Sequence, residues 1–470
     1  MTGAQQRQPV ALGTAQGRWV IVVTTLASGM AFLDATAVQV ALPSIGRELD
    51  ATLSGLQWTI TGYTLTLASL ILLGGSLGDR YGRRRVFLIG VCWFAAASLL
   101  CGLAQNTGQL VAARALQGVG GALLTPGSLA LIQSSFRAED RPRAIGLWSS
   151  LAGIAGLIGP FLGGVLVDAV SWRLVFLINV PFALVIVAVA GRHVPESRNP
   201  AHHGRFDYLG AVLGALALGG VTYALIAAGG DPSRPDVAVS AVIGVAAGVA
   251  FIVREHRAPD PMLPPRLFRD RQFTGANLAT LFVYGALGGS MLFLVLQLQT
   301  VLGYDATASG AALLPSILLI TLLSPRAGAL AQRIGPRLPM TVGPLITATG
   351  TLLLAGVDGS GPYVIEVLPG SLLQGLGMAA TVVPLTATVL SAAPDTMAGI
   401  ASGVNNAVAR AAQLLAVAAL PVAVGLSGDD YADPATFTGG FRMAMMVCAA
   451  LFALGGLVSW FTIRNDVLKA

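Results

Sequence analysis

The sequence predicts an all-α polytopic membrane protein made of two related six-helix bundles with a further helix pair between them, on three observations. The 470 residues are 54% hydrophobic and 11% charged, with mean hydropathy +0.74, whereas an ordinary soluble domain carries about 25% charged residues. Fourteen apolar runs each reach the roughly 20 residues that one bilayer crossing needs. Finally, a short basic hairpin occurs twice, as Gly75-Ser76-Leu77-Gly78-Asp79-Arg80-Tyr81-Gly82-Arg83-Arg84-Arg85 and as Gly328-Ala329-Leu330-Ala331-Gln332-Arg333-Ile334-Gly335-Pro336-Arg337. The two share glycine, arginine, glycine and arginine in register, the mark of an internally duplicated transporter. Gln332 replaces Asp79 in the second copy, so the two hairpins need not act alike.

The elements follow in chain order. Residues 1–17 form a polar, glutamine-rich tail expected in the cytoplasm. The run from Trp19 to Leu42 is too long for a signal-peptide core and lacks a cleavage-site context, so it is expected to stay as an anchor. Spans near 18–42, 55–77, 85–104, 108–134, 144–168 and 173–191 make the first bundle, 18–191. Linkers rich in Pro, Arg and His set apart spans 207–229 and 237–254 as an insert, 192–272. Spans near 273–301, 307–331, 338–357, 362–391, 398–427 and 439–463 make the second bundle, 273–463, and residues 464–470 form a second cytoplasmic tail.

Charge supports the even count. One face collects Arg80, Arg83 to Arg85, Arg137, Arg141, Arg143, Arg192, Arg198, Arg205, Arg254, Arg257, Arg266, Arg269, Arg271, Arg333, Arg337, Arg464 and Lys469, and the other holds Arg47, Arg173, Arg234 and Arg442. The positive-inside rule then places both termini in the cytoplasm. A second echo, Leu116-Gln117-Gly118-Val119-Gly120 in span four and Leu373-Gln374-Gly375-Leu376-Gly377 in span twelve, lies at nearly the same separation as the two hairpins.

These residues resemble the major facilitator superfamily, specifically its fourteen-span drug:proton antiporter branch. Leu33-Asp34-Ala35-Thr36-Ala37-Val38-Gln39-Val40-Ala41-Leu42-Pro43 is similar to the first-span motif of that branch, with Gln39 where Asn is usual. Gly75 to Arg84 resembles the loop signature after span two, and Arg114 to Gly120 the fourth-span motif. Gly156-Leu157-Ile158-Gly159-Pro160-Phe161-Leu162-Gly163-Gly164 resembles the fifth-span motif that marks antiporters. The resemblance implies the major facilitator fold, a cavity between the bundles, and export from a bacterial cytoplasmic membrane.

Several residues then become candidates. Asp34 lies about 13 Å from the outer end of its helix at 1.5 Å per residue, where an ionised carboxylate costs several kcal/mol unless hydrated or paired. Arg114 sits at a matching depth, so the two are expected to couple proton binding to transport, or else to form a permanent structural pair. Gln117, Glu366, Asn405, Asn406 and Arg410 are the candidates for the substrate cavity. Glu366 could attract a cation or snorkel to the outer interface. Asn405 and Asn406 could hydrate Arg410 or bond to neighbouring helices. Gly75, Asp79, Arg80, Gly82, Arg83 and Arg84 are expected to form a latch, with Asp79 docking on the start of span thirteen near Ala398. Gly156, Gly159, Pro160, Gly163 and Gly164 give span five a small-residue face for close contact and bending.

Other classes fit poorly. An ATP-driven pump needs a phosphate loop ending in Gly-Lys-Ser/Thr, and the single lysine is Lys469. No aspartate pair or serine motif sits at membrane depth to suggest a protease. His193, His202, His203 and His256 lack carboxylate or cysteine support and are expected to be solvated rather than metal-bound. Cys92, Cys101 and Cys448 lie in apolar runs and imply no disulfide framework. The net charge of +6 follows loop arginines rather than one amphipathic face, which argues against nucleic acid. The expected function is proton-coupled export of lipophilic, possibly cationic, small molecules such as drugs, dyes or an endogenous antibiotic. A lipid or metabolite cargo is the alternative within the class, and a membrane enzyme or receptor the alternative outside it. No cofactor is expected, the proton gradient supplying the energy. The expected partners are substrate, protons and membrane lipids.

Overall fold

The computed structural model describes residues 10–137, 139–197, 207–258, 261–394 and 397–465. Both outermost tails, His202, His203 and Lys469 lie outside the described residues. Among the described residues, fourteen helical rods run back and forth. The first half contains α1 (Ala15–Leu49), α2 (Leu53–Tyr81), α3 (Arg83–Gly102), α4 (Thr107–Ser135), α5 (Arg141–Ala169) and α6 (Arg173–His193). The inserted pair is α7 (Tyr208–Ala228) and α8 (Pro235–Arg257). The second half contains α9 (Arg271–Val301), α10 (Ala306–Ile334), α11 (Arg337–Leu354), α12 (Tyr363–Ser391), α13 (Ala398–Ala423) and α14 (Pro434–Thr462).

Thirteen of these are long and apolar enough to cross a membrane. The fourteenth, α11, has 18 residues, and its prolines, threonines and leading arginine dilute its apolar character. Several rods overrun the predicted spans, α1 most of all at 35 residues, because hydropathy marks only the lipid-buried part of a helix.

Capping explains many of the helix starts. Thr52 receives Gly55 N, Asn106 receives Gln109 N, Asp270 receives Phe273 N, Asp305 receives Ala308 N and Asp433 receives Thr436 N. Each such cap contributes about 1 kcal/mol.

The duplication is visible in how glycines pack. A Cβ on Gly118 of α4 would come within 2.0 Å of Thr66 Oγ1 on α2, and one on Gly120 within 2.6 Å of Phe94 N on α3. In the second half, a Cβ on Gly375 of α12 would come within 2.5 Å of Ser316 O on α10, and one on Gly377 within 2.3 Å of Thr347 Oγ1 on α11. The echo in sequence is thus an echo in space, with α2, α3 and α4 answering α10, α11 and α12.

The two hairpins also match. Gly82 and Gly335 both take positive φ, +111° and +90°, where a side chain is strained. Each turn is braced by a residue just beyond the last helix of its own half. The Glu196 carboxylate accepts from Arg84 N and Arg85 N, each at 3.1 Å, and Asn465 Oδ1 accepts from Arg337 N at 3.2 Å.

At the end of the molecule away from the termini, one apolar core joins the halves, holding Leu42, Leu56 and Phe176 with Phe293 and Phe437. Toward the termini each half has its own core, around Phe87, Phe94 and Phe136 in the first and Phe273, Met340 and Val404 in the second. The hydrogen bonds that cross between halves cluster at the shared-core end. Gln57 Nε2 donates to Val417 O, Gln299 Nε2 to Val40 O, and Tyr431 Oη to Ala51 O. The protein is therefore closed at the far end and held in two separate cores at the end bearing the termini. The insert leans on both halves: Trp58 of α2 meets Tyr223 of α7 with ring centroids 6.2 Å apart, and Gly229, just past α7, faces Val422 of α13.

Candidate functional site

Asp34 and Arg114 meet as expected. Arg114 Nη1 lies 2.7 Å from Asp34 Oδ2, and both residues are sealed, at 0% and 1% exposure. The pair belongs to a larger network. Gln117 Nε2 donates to Asp34 Oδ1 at 2.8 Å, and Asn179 Nδ2 donates to the same oxygen at 3.0 Å. Ser98 Oγ accepts from both amides at 2.8 Å. Arg114 also donates through Nε to Thr59 O and through Nη1 to Gln117 Oε1, and its guanidinium lies 4.4 Å from the Tyr63 ring centroid.

Helix register builds this cluster. Arg114 and Gln117 are one turn apart on α4 and so share a face. Asp34 comes from α1, Ser98 from α3 and Asn179 from the break in α6, where the short turn Arg173–Leu177 gives way to Asn179–His193. Five side chains from four helices thus converge, and their polar groups pair with one another save for Asn179 Oδ1, which is buried without a partner among the described residues.

This placement corrects one expectation. Gln117, a candidate for the substrate cavity, lies with Asp34 and Arg114 in the interior of the first half, where α1, α2, α3, α4 and α6 enclose it. Arg114 is the counter-charge of Asp34 in this sealed cluster, and either charge left there without the other would be costly.

The remaining candidates scatter. The Glu366 carboxylate accepts from Gly359 N at 3.0 Å and Ser360 Oγ at 3.1 Å, and also from Gly361 N. It closes the turn before α12 and is no cavity residue, a local role that membrane-span counting could not reveal. Asn405 turns back into its own half, donating to Thr280 Oγ1 at 2.7 Å and Asn277 Oδ1 at 3.2 Å. Asn406 is exposed and donates to Ser402 O. Arg410 is half-buried and donates weakly to Gln413 Oε1 at 3.4 Å.

In the hairpin, Asp79 is bound to Arg83 of the same turn, with Arg83 Nη2 at 2.7 Å. Its carboxylate is thus engaged locally rather than on α13, and Asp395 and Thr396, which precede that helix, lie outside the described residues. Arg84 donates to Val194 O at 3.0 Å, Arg80 lies over the Tyr81 ring, and Gly75 packs on Pro126.

The small-residue face of α5 serves two neighbours. A Cβ on Gly159 or Gly163 would strike Thr36 or Ala37 of α1, while one on Gly164 would come within 2.3 Å of Ala306 O on α10. From the other side, a Cβ on Gly310 would come within 2.2 Å of Pro160 O. Gly156 stands 3.8 Å from Phe32 by the same measure. Close packing of α5 on α10 is what seals the halves along this seam.

Sequence reasoning missed Asn179, Ser98 and Asp168. An asparagine inside the apolar run of α6 was the available signal for the first. Asp168, at the end of α5, receives Thr307 N at 2.7 Å, Thr307 Oγ1 at 2.6 Å and Ala306 N at 3.3 Å, so it caps α10 across the seam.

Comparison with known proteins agrees with this architecture. Residues 24–417 match the family described as Major Facilitator Superfamily. The chain is 36% identical over 392 residues to the multidrug resistance protein Stp of Mycobacterium tuberculosis (strain CDC 1551 / Oshkosh), covering 82% of this chain and 72% of that protein. It is 35% identical over 445 residues to the methylenomycin A resistance protein of Bacillus subtilis (strain 168), covering 94% and 93%. Among solved structures, a bacterial homologue of the human lysosomal transporter Spinster, inward-facing and unoccupied, superposes with TM-score 0.68 at 16% identity over 96% of this chain and 97% of that one. With its fourteen rods, paired hairpins and glycine-matched halves, the chain belongs to the major facilitator superfamily and is a multi-pass membrane transporter rather than an enzyme.

Proposed function

We propose that this transporter exports lipophilic small molecules, drugs or antibiotics among them, in exchange for protons. It would act from the bacterial cytoplasmic membrane with both termini in the cytoplasm, so the structure corresponds to a state open toward the cell interior. Resistance relatives matched over most of their length support the cargo class. The observation that carries the coupling is the sealed Asp34 and Arg114 network. A single protonation there changes the charge balance among α1, α3, α4 and α6, the helices whose packing defines the first half. Alternating access then follows if the protonated and deprotonated networks favour different arrangements of that half against the second.

The test is dye accumulation in inside-out membrane vesicles with an imposed proton gradient. Wild type should accumulate dye and lose it on adding an uncoupler, and Asp34→Asn should abolish uphill accumulation while the protein remains folded. Uncoupler-resistant accumulation, or full activity of a well-expressed Asn variant, would overturn the coupling.

A further inference from the structure

Among the described residues Arg410, a candidate cation within a span, has no compensating carboxylate, and its surroundings say what would bind it. On α13 the residues Gly403, Ala407, Arg410 and Val417 recur at helical spacing. Gly403 faces Leu72 of α2, Ala407 packs on the core of the first half, and Val417 O receives Gln57 of α2. Arg410 therefore stands on the face of α13 that looks across to the first half, between the closed far end and the separated end. Among the described residues no carboxylate lies within ion-pair range of it, and its only side-chain bond is the long one to Gln413.

The acids that might have balanced it are spent elsewhere. Asp34 is sealed and paired with Arg114, Glu366 is folded into an end turn, and Asp168 caps α10. A guanidinium at membrane depth with no fixed counter-charge favours an anion, and its planar fork suits a carboxylate, sulfonate or phosphate.

Resting on the export reading above, we propose that the substrate site between the halves takes amphipathic organic anions, with the oxyanion on Arg410 and the apolar body against the surrounding helices. Lipophilic cations are disfavoured by the same charge. The oxyanion can belong to a soluble compound or to a lipid headgroup.

A matched pair of probes tests this: 8-anilinonaphthalene-1-sulfonate and its uncharged counterpart N-phenyl-1-naphthylamine, with ethidium as the cation. Binding is read on purified protein in zwitterionic lipid, and transport in energised inside-out vesicles. Arg410→Gln should weaken binding of the sulfonate by about tenfold or more and leave the neutral probe within about twofold, while Arg410→Lys should recover part of the loss. Displacement of the sulfonate by phosphatidylglycerol but not phosphatidylcholine would identify lipid as one source of the oxyanion, and absence of displacement would assign the site to soluble anions. Equal loss of both naphthalenes in Arg410→Gln, or tighter binding of ethidium than of the sulfonate by wild type, would overturn the assignment. Failure of every probe to move in vesicles would count against export, while the binding measurement on purified protein still decides the oxyanion site.

Discussion

Asp34 is held by three donors of different kinds, a guanidinium and two carboxamides, so removing its charge and removing its shape have separable effects. Asp34→Asn keeps the shape and leaves Arg114 buried without a counter-charge, which should cost about 3 kcal/mol or more of stability. Adding Arg114→Gln removes the stranded charge, so the double variant should recover most of that loss in a thermal unfolding assay in detergent while remaining uncoupled. Recovery of proton-driven transport along with stability would mean that the pair only fixes packing. Asn179→Leu should be nearly as damaging as Asp34→Asn to coupling, because it leaves Asp34 Oδ1 and Ser98 Oγ each short of a donor. The two charged partners were legible in the sequence because ionisable residues in apolar runs are rare and their depths could be compared. Ser98 was not, since a hydroxyl in a span can bond to its own helix, and Asn179 gave only the weaker signal of an asparagine in an apolar run, which names no partner until its neighbours are known.

Two contacts at the level of helices control the far seam. Asp168 caps α10 from the end of α5, and Gly164 and Gly310 let the two backbones touch. Loss of a cap costs about 1 kcal/mol, equivalent to about fivefold in a two-state ratio, so Asp168→Ala should shift the protein by that factor toward the state open at the far end. Gly164→Val should shift it further, because the added side chain meets backbone that cannot move aside. Both shifts can be read as increased alkylation of a cysteine introduced at Thr307, with Asp168→Asn intermediate; unchanged alkylation in all three would remove α5 and α10 from the gate. The glycine-rich face of α5 was visible in the sequence as a small-residue stripe, yet which glycine served which partner was not, since Gly159 and Gly164 differ only in the direction they face. Asp168 lay one turn past that stripe, where charge at a helix end reads as ordinary.

For the molecule as a whole, the repeat in sequence predicted the repeat in space, and the structure adds that both hairpin glycines take positive φ. The insert was legible as a separate pair through its Pro- and Arg-rich flanks, but its seat across α2 and α13 was not, because exposed apolar helices carry no address. An even number of rods puts both chain ends on one side. Cysteines at Asp305 and Asp430 should therefore react with an impermeant thiol reagent in intact cells, and one at Arg333 only after lysis. The reverse pattern would invert the proposed orientation. Gly82→Ala and Gly335→Ala should each destabilise by about 1 kcal/mol or more, through backbone strain together with a clash of the new methyl on the bracing Glu196 or Asn465, and comparable losses would show that the two hairpins are mechanically equivalent despite Gln332.

The short rod α11 has a consequence for the surrounding bilayer. Its 18 residues reach about 27 Å at 1.5 Å per residue, slightly less than a hydrocarbon core of about 30 Å, and it presents Leu338, Val342, Leu345, Leu352 and Leu353 outward. Arg337 at its start lies 4.1 Å from the Trp460 ring centroid, an anchor that holds this end at the interface. Lipid beside α11 must thin to meet it, at a cost of fractions of a kcal/mol for each ångström of mismatch. Turnover in reconstituted vesicles should accordingly decline as acyl chains lengthen, making membrane thickness a physical setting of this transporter's rate.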